Sequence, residues 1–376
     1  MAQVVAYQTA QGKRYRVRYR TPDRRQTDKR GFRTKRDAEM FAATIEVAKM
    51  RGEYVNPADA RRTVDSLGPS WLARQKGHLK PSSYRPLEVA WRTRVQPRWG
   101  TTALGDVRPS EVQAWLTDLG EGAGDVKAVG ATVVIRTHQV FSAIMADAVR
   151  DRLLARNPCD GMKLPRKTPK RPVYLNHDQV TALAAASGER EALVLLLAYT
   201  GLRWGEATGL RVRDLDLLRV RPRAVVSENA VQVGSTIHVG TTKGHKQRSV
   251  PLPTFLVAYL ARQCEGKQRD ALLFPGSDGE HLERPHTGSG WFDKAVTTAG
   301  VPRVTPHDLR HTAASLAVSA GANVKAVQRM LGHASAAMTL DLYADLFDDD
   351  LDAVAVALDK ARSAASAEVS RTSQVL

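Results

Sequence analysis

The sequence predicts a mainly α protein with small β elements, an α+β chain of three domains. Three observations carry this. Helical spacing of apolar residues fills about 64–164 and resumes beyond about 173. Period-two alternation is confined to the N-terminus and to roughly 224–253. Polar, proline-bearing stretches separate these regions, and 376 residues are too many for one average core but enough for two or three.

The N-terminal region is the most basic, with twelve Lys or Arg against two Asp in residues 1–36. Arg14, Arg16, Arg18 and Arg20 alternate with Tyr15, Val17 and Tyr19. A strand would therefore carry a guanidinium row on one face and an apolar row on the other. A second short strand is expected over Lys29–Thr34. Thr34 then opens a helix, with Asp37 placed as a capping-box acid. Ala38, Phe41, Ala42, Ile45 and Ala48 form the helix face that would cover the sheet. The arginine face reads as a DNA-contacting surface, as in proteins that place strands in a groove. The same pattern also fits a charged edge strand that blocks aggregation.

A polar linker with Pro57 closes this first domain, residues 1–62. The second, 63–166, reads as all-helical. Its helices begin near Leu67, Trp71 and Leu72, then run over Tyr84–Trp91, Val107–Leu119 and Val129–Leu154, and basic side chains such as Lys76, Arg85 and Arg94 stud them. The basic stretch Lys163–Pro172 follows, where Pro165, Pro169 and Pro172 exclude regular helix. The third domain, 167–376, is mostly helical around the strand-rich segment. A last amphipathic helix is expected over Asp350–Ala361, with Leu351, Val354, Ala355 and Leu358 on one face.

Composition narrows the function. Lys plus Arg total 56 against 39 Asp plus Glu, a net charge of +17. The pI is about 10.1, and such an excess points to a polyanionic partner. Hydrophobic residues are 43% and charged residues 25%, as in soluble globular proteins. The longest apolar stretch, Ala192–Tyr199, is too short to span a bilayer. No secretory signal is visible, and Cys159 and Cys264 are isolated. A reducing, cytoplasmic setting follows, without a disulfide frame or cysteine-rich metal site.

Four segments of the third domain carry chemistry. Thr200-Gly-Leu-Arg-Trp-Gly-Glu206 follows an apolar helix that Gly201 can end, leaving Arg203 at the start of the next. Thr241–Pro251 places Lys243-Gly244 between strand-like residues, so Lys243 is expected on a hairpin tip. Thr305-Pro-His-Asp-Leu-Arg-His311 has Pro306 suited to a first helical turn and His307 and Arg310 on one face. Leu331-Gly-His333 precedes Tyr343 by ten residues.

Together Arg203, Lys243, His307, Arg310, His333 and Tyr343 suit phosphodiester chemistry. Two guanidinium forks can hold the non-bridging oxygens of a pentacoordinate phosphorus and keep their charge throughout. A tyrosine hydroxyl can form a covalent ester, and a lysine ammonium can protonate the departing 5′-hydroxyl. Histidine can take the phenol proton or bond a phosphate oxygen. None of this requires a metal or other cofactor.

In order and context these segments resemble the catalytic domain of tyrosine recombinases, the phage integrase family. The resemblance implies that Arg203 and Arg310 clamp the scissile phosphate and that Lys243 is the general acid. His307 and His333 would assist, Glu206 would orient a neighbouring group, and Tyr343 would become linked to the 3′-phosphate. Lys246, three residues on, is the alternative acid. The resemblance further implies an arm-type DNA-binding domain, a helical core-binding domain and a catalytic domain that act as a homotetramer on attachment-site DNA. It leaves room for an excisionase and a host DNA-bending protein.

Three other readings compete. A zincin helix has the His307 and His311 spacing but needs Glu where Asp308 stands. A non-catalytic DNA-binding regulator would use the helix-turn-helix look of Ser315–Leu331. A type IB topoisomerase shares the phosphotyrosine chemistry, but not the arm-like N-terminus.

Overall fold

The computed structural model describes residues 2–22, 24–52, 54–124, 127–168, 172–241 and 247–333, with 356, 358, 359, 362 and 363 beyond. The chain divides into two compact units, Met1–Pro169 and Lys170–Leu376.

The first unit opens with three antiparallel strands in sequential order: β1 (Gln3–Thr9), β2 (Gly12–Arg20) and β3 (Gln26–Phe32). β1 is an addition to the sequence reading. As an edge strand with half-buried residues, it lacks the clean alternation of β2. β3 begins three residues earlier than expected, and its ladder with β2 carries a register shift between Tyr15 and Val17. Helix α1 (Lys35–Met50) starts where the Thr34 hydroxyl accepts from the Asp37 amide at 3.1 Å. Its Ala38 and Ile45 pack on Val17 and Tyr19, with Phe41, Ala42 and Ala48 around them. The helical face expected to cover the sheet therefore does so.

A separate apolar core follows within the same unit. It is built from α2 (Gly68–His78), α3 (Pro81–Ala90), α4 (Gln96–Trp99), α5 (Pro109–Glu121) and α6 (Ala131–Arg150). Trp99 stacks on Phe141 at 5.3 Å, and Trp115 meets both rings edge-on. Aromatic pairs in these geometries add to the burial that holds the helices together.

The second unit forms around α8 (Glu191–Thr200), whose residues Ala192–Ala198 are all buried. α7 (His177–Ala186) precedes it, and the single turn α9 (Trp204–Ala207) follows. Five strands come next: β4 (Leu215–Asp216), β5 (Arg223–Val226), β6 (Glu228–Val233), β7 (Thr236–Thr241) and β8 (Arg248–Pro251). They form a β4-β5-β8 sheet and a β6-β7 hairpin. This corrects the expected hairpin around Lys243. Among the described residues β7 pairs with β6 and β8 with β5, so the strands flanking Lys243 belong to different sheets. α10 (Leu256–Cys264), α11 (Trp291–Thr298), α12 (Asp308–Ser319) and α13 (Val324–Leu331) complete the unit. α12 begins after Pro306, with His307 as its N-cap. No helix among the described residues is long and apolar enough to cross a membrane.

Candidate active site

Two chain reversals bring the boxes together. α8 ends at Gly201, which adopts φ +62°, and a Cβ there would lie 2.4 Å from Leu331 Cδ2. The left-handed turn and the close approach both require glycine. This reversal sets Arg203 as the N-cap residue of α9. α13 likewise ends at left-handed Gly332, which hands the chain to His333.

Arg310 projects from α12 into the gap between these reversals and is only 3% exposed. Its Nη1 donates to the Gly201 carbonyl at 2.6 Å and its Nη2 to the Leu331 carbonyl at 2.7 Å. The second arginine box is thus fastened to the end of α8, beside the first box, and to the end of α13, beside His333. A buried guanidinium held this way has little freedom left and needs no reorganisation to meet an anion.

Glu206 organises the other half. The carboxylate, 1% exposed, accepts from the Arg203 amide and from Arg203 Nη1, both at 2.9 Å. It also accepts a fork from Arg248: Nη1 at 2.9 Å and Nη2 at 2.7 Å. Burial pushes this carboxyl up, but the Arg248 hydrogen bond and charge, followed by Arg203, outweigh it and hold it below the usual carboxylate range. Arg248 was not anticipated. A signal was available, because it lies two residues before Val250 on β8 and so shares the inward face of that strand. A guanidinium on a buried strand face needs a carboxylate partner.

The histidines line the same place. The His307 and His311 rings meet edge-to-face at 5.2 Å. Burial, then the charges of His311 and Arg310, lowers the His307 pKa. For His333, burial acts first, then Arg310, Arg203, His311 and Arg248, and the pKa falls to about 4. His333 is therefore neutral near pH 7 and can accept a proton or a hydrogen bond. Asp308 is already engaged, accepting from the Thr305 amide and hydroxyl at 2.7 and 2.8 Å. It is committed to the turn that starts α12.

The structure thus gathers Arg203, His307, Arg310 and His333, four of the six residues singled out, and adds His311, Glu206 and Arg248. Lys243, its alternative Lys246, and Tyr343 lie outside the described residues, as does most of the expected 350–361 helix. In the other unit, Arg14, Arg16 and Arg18 are half-buried on the sheet face away from α1, and Arg20 is exposed. Asp28 stands opposite Arg18 in the β2–β3 ladder, and its carboxylate lies 3.8 Å from Arg16 and 2.9 Å from Arg30.

Comparisons with known proteins agree with this fold and place the chain among relatives. The phage integrase family model matches residues 173–349. The chain is 27% identical to the integrase of Mycobacterium phage D29 over 83% of its own length and 84% of that protein's. It is 32% identical to tyrosine recombinase XerC of Mycobacterium bovis over 63% of its length and 79% of that protein's. In three dimensions it resembles the Tn1549 transposon integrase solved with circular intermediate DNA, with a TM-score of 0.63 and 22% identity over 78% of this chain and 99% of that one. A lambda integrase tetramer bound to a Holliday junction gives a TM-score of 0.56 at 18% identity, over 88% and 95%.

The chain belongs to the tyrosine recombinase (phage integrase) family. It is a site-specific recombinase that cuts and rejoins DNA.

Proposed function

We propose that the protein recombines attachment-site DNA through a 3′-phosphotyrosyl intermediate, with Tyr343 as nucleophile. One observation carries the reading: two arginines more than a hundred residues apart converge with three histidines around the Gly201 turn. Arg203 and Arg310 hold the non-bridging oxygens of the scissile phosphate. The Tyr343 oxygen bonds to phosphorus while the bond to the 5′-oxygen breaks. Lys243 gives its proton to that oxygen, and a neutral histidine, His333 or His307, takes the phenol proton. The phosphodiester is stored as a phosphotyrosine, so the reverse attack by a 5′-hydroxyl religates the strand without ATP.

On this reading residues 1–62 hold arm sites through Arg14, Arg16, Arg18 and Arg20. Residues 63–166 and 167–376 hold the core site. Four copies exchange strands pairwise through a Holliday junction in the host cytoplasm, with an excisionase and a host DNA-bending protein setting direction. Integration of phage or mobile-element DNA fits the resemblance to the D29 integrase.

A nicked suicide duplex tests the chemistry. The wild-type chain should yield a denaturant-resistant adduct. Tyr343→Phe should shift the duplex on a gel yet yield none. An adduct from Tyr343→Phe would refute the assignment, and a shift without adduct from the wild-type chain would make it a non-catalytic binder.

A further inference from the structure

We infer that Arg248 is a positioning residue that keeps the Arg203 box cationic and locks it to the turn carrying His333. This role presupposes that Arg203 holds the scissile phosphate.

An electrostatic conflict lies in the first arginine box. Glu206 takes both the amide and a guanidinium nitrogen of Arg203, which fixes its direction. The same contact places a full negative charge 2.9 Å from the group meant to attract a phosphate. An isolated Arg203–Glu206 pair is neutral overall and would offer a phosphate little net attraction at low dielectric. Arg248 resolves the conflict. Its fork covers both oxygens of Glu206 at 2.9 and 2.7 Å, so the three side chains together keep one positive charge. Glu206 then orients Arg203 without cancelling it.

The second contact of Arg248 is geometric. Nε donates to the Met330 carbonyl at 3.3 Å, tying β8 to the last turn of α13. Gly332 lies against the same side chain: a Cβ there would sit 3.2 Å from Arg248 Nε and Cζ. One guanidinium therefore touches the carboxylate that aims Arg203 and the backbone that delivers His333. His333 is faced by Arg203 from α9, Arg310 and His311 from α12, and Arg248 from β8. All four disfavour its protonation, and Arg248 contributes one of these repulsions.

Single-turnover cleavage of the nicked duplex, run with gel-shift affinity, thermal melting and a pH series, tests this. Arg248→Gln should bind DNA normally but cleave about 10²-fold more slowly, the scale of losing one preorganised electrostatic contact. The acid limb of its pH–rate profile should move to higher pH, because His333 loses a repelling cation. Glu206→Gln added to Arg248→Gln should recover part of the rate by removing the uncompensated carboxylate. Arg248→Lys, which keeps the charge, should hold the acid limb in place and lose less rate. It carries the test if Arg248→Gln does not fold.

A folded Arg248→Gln with wild-type rate and acid limb would overturn the role. So would a double variant no faster than Arg248→Gln, or an Arg248→Lys as slow as Arg248→Gln. A wild-type chain that forms no adduct would overturn both this role and the recombinase reading. A wild-type adduct beside an unchanged Arg248→Gln rate would overturn this role alone.

Discussion

Arginines recur in two settings in this chain, and the contrast shows what each set can do. On the N-terminal sheet Arg14, Arg16 and Arg18 stand in a row on an open face, half-buried, with Asp28 as the carboxylate among them. Their geometry comes mainly from strand register, with the Arg16 guanidinium also 3.8 Å from Asp28. In the second unit Arg310 is buried and Arg248 half-buried, each fastened at two or more points, while Arg203 is fixed through a carboxylate that is itself buried. An open row can follow a polyanion and supply affinity, since phosphate neutralisation requires charge more than exact placement. A fastened cluster supplies direction, as a transition-state oxyanion requires. The same side chain serves binding in one place and chemistry in the other, according to how many of its donors the fold has already occupied.

The contrast is open to attack at several points. The largest effect is expected at Arg310. Arg310→Ala should lower single-turnover cleavage by about 10²–10³-fold. It should also destabilise the unit, by roughly 1–3 kcal/mol for each buried carbonyl left without its donor. Arg14→Ala, measured in parallel, should leave core-site cleavage unchanged.

Next comes binding. Arg16→Ala with Arg18→Ala should weaken association with arm duplexes and flatten the slope of log affinity against log salt by about 0.9 per lost phosphate contact. Core-site affinity should hold. Equal losses on both duplexes would dissolve the distinction between the two settings.

A smaller effect should appear in stability against pH. The folded pKa of His333 is depressed from 6.5 to about 4. The unfolded chain therefore takes up a proton first as the solution is acidified. Stability should be full above about pH 6.5 and decline toward pH 4, and His333→Gln should remove that part of the slope in melting curves. The depressed Glu206 carboxyl acts in the same sense, at lower pH.

The smallest effect concerns the scaffold alone. Thr34→Ala removes the cap of α1 and should cost about 1 kcal/mol in the N-terminal module. Cleavage of a core-site substrate should not change.

Much of the site was legible in the sequence because its signals are local. Gly201 after an apolar helix announces a reversal, and His307 with Arg310 share a face through helical spacing alone. The β2 arginine row and the Ala38–Ala48 helix face follow from periods of 2 and 3.6, and both stand as read. What escaped depends on distant partners. No local rule says that β8 pairs with β5 instead of β7, so among the described residues the strands on either side of Lys243 fall in different sheets. β1 escaped because an edge strand need not alternate cleanly. Arg248 looked like one more basic residue in a basic segment. Its importance comes from Glu206, 42 residues away, and from the end of α13, 82 residues away.

The most direct measurement is the position of the covalent DNA link. After reaction with a nicked duplex and digestion by trypsin, the segment between Arg329 and Lys360 contains a single tyrosine, Tyr343. Mass spectrometry should find a nucleotide remnant on that residue through its 3′-phosphate, with the 5′-hydroxyl strand released. A remnant on another side chain, or a link through a 5′-phosphate, would contradict the account.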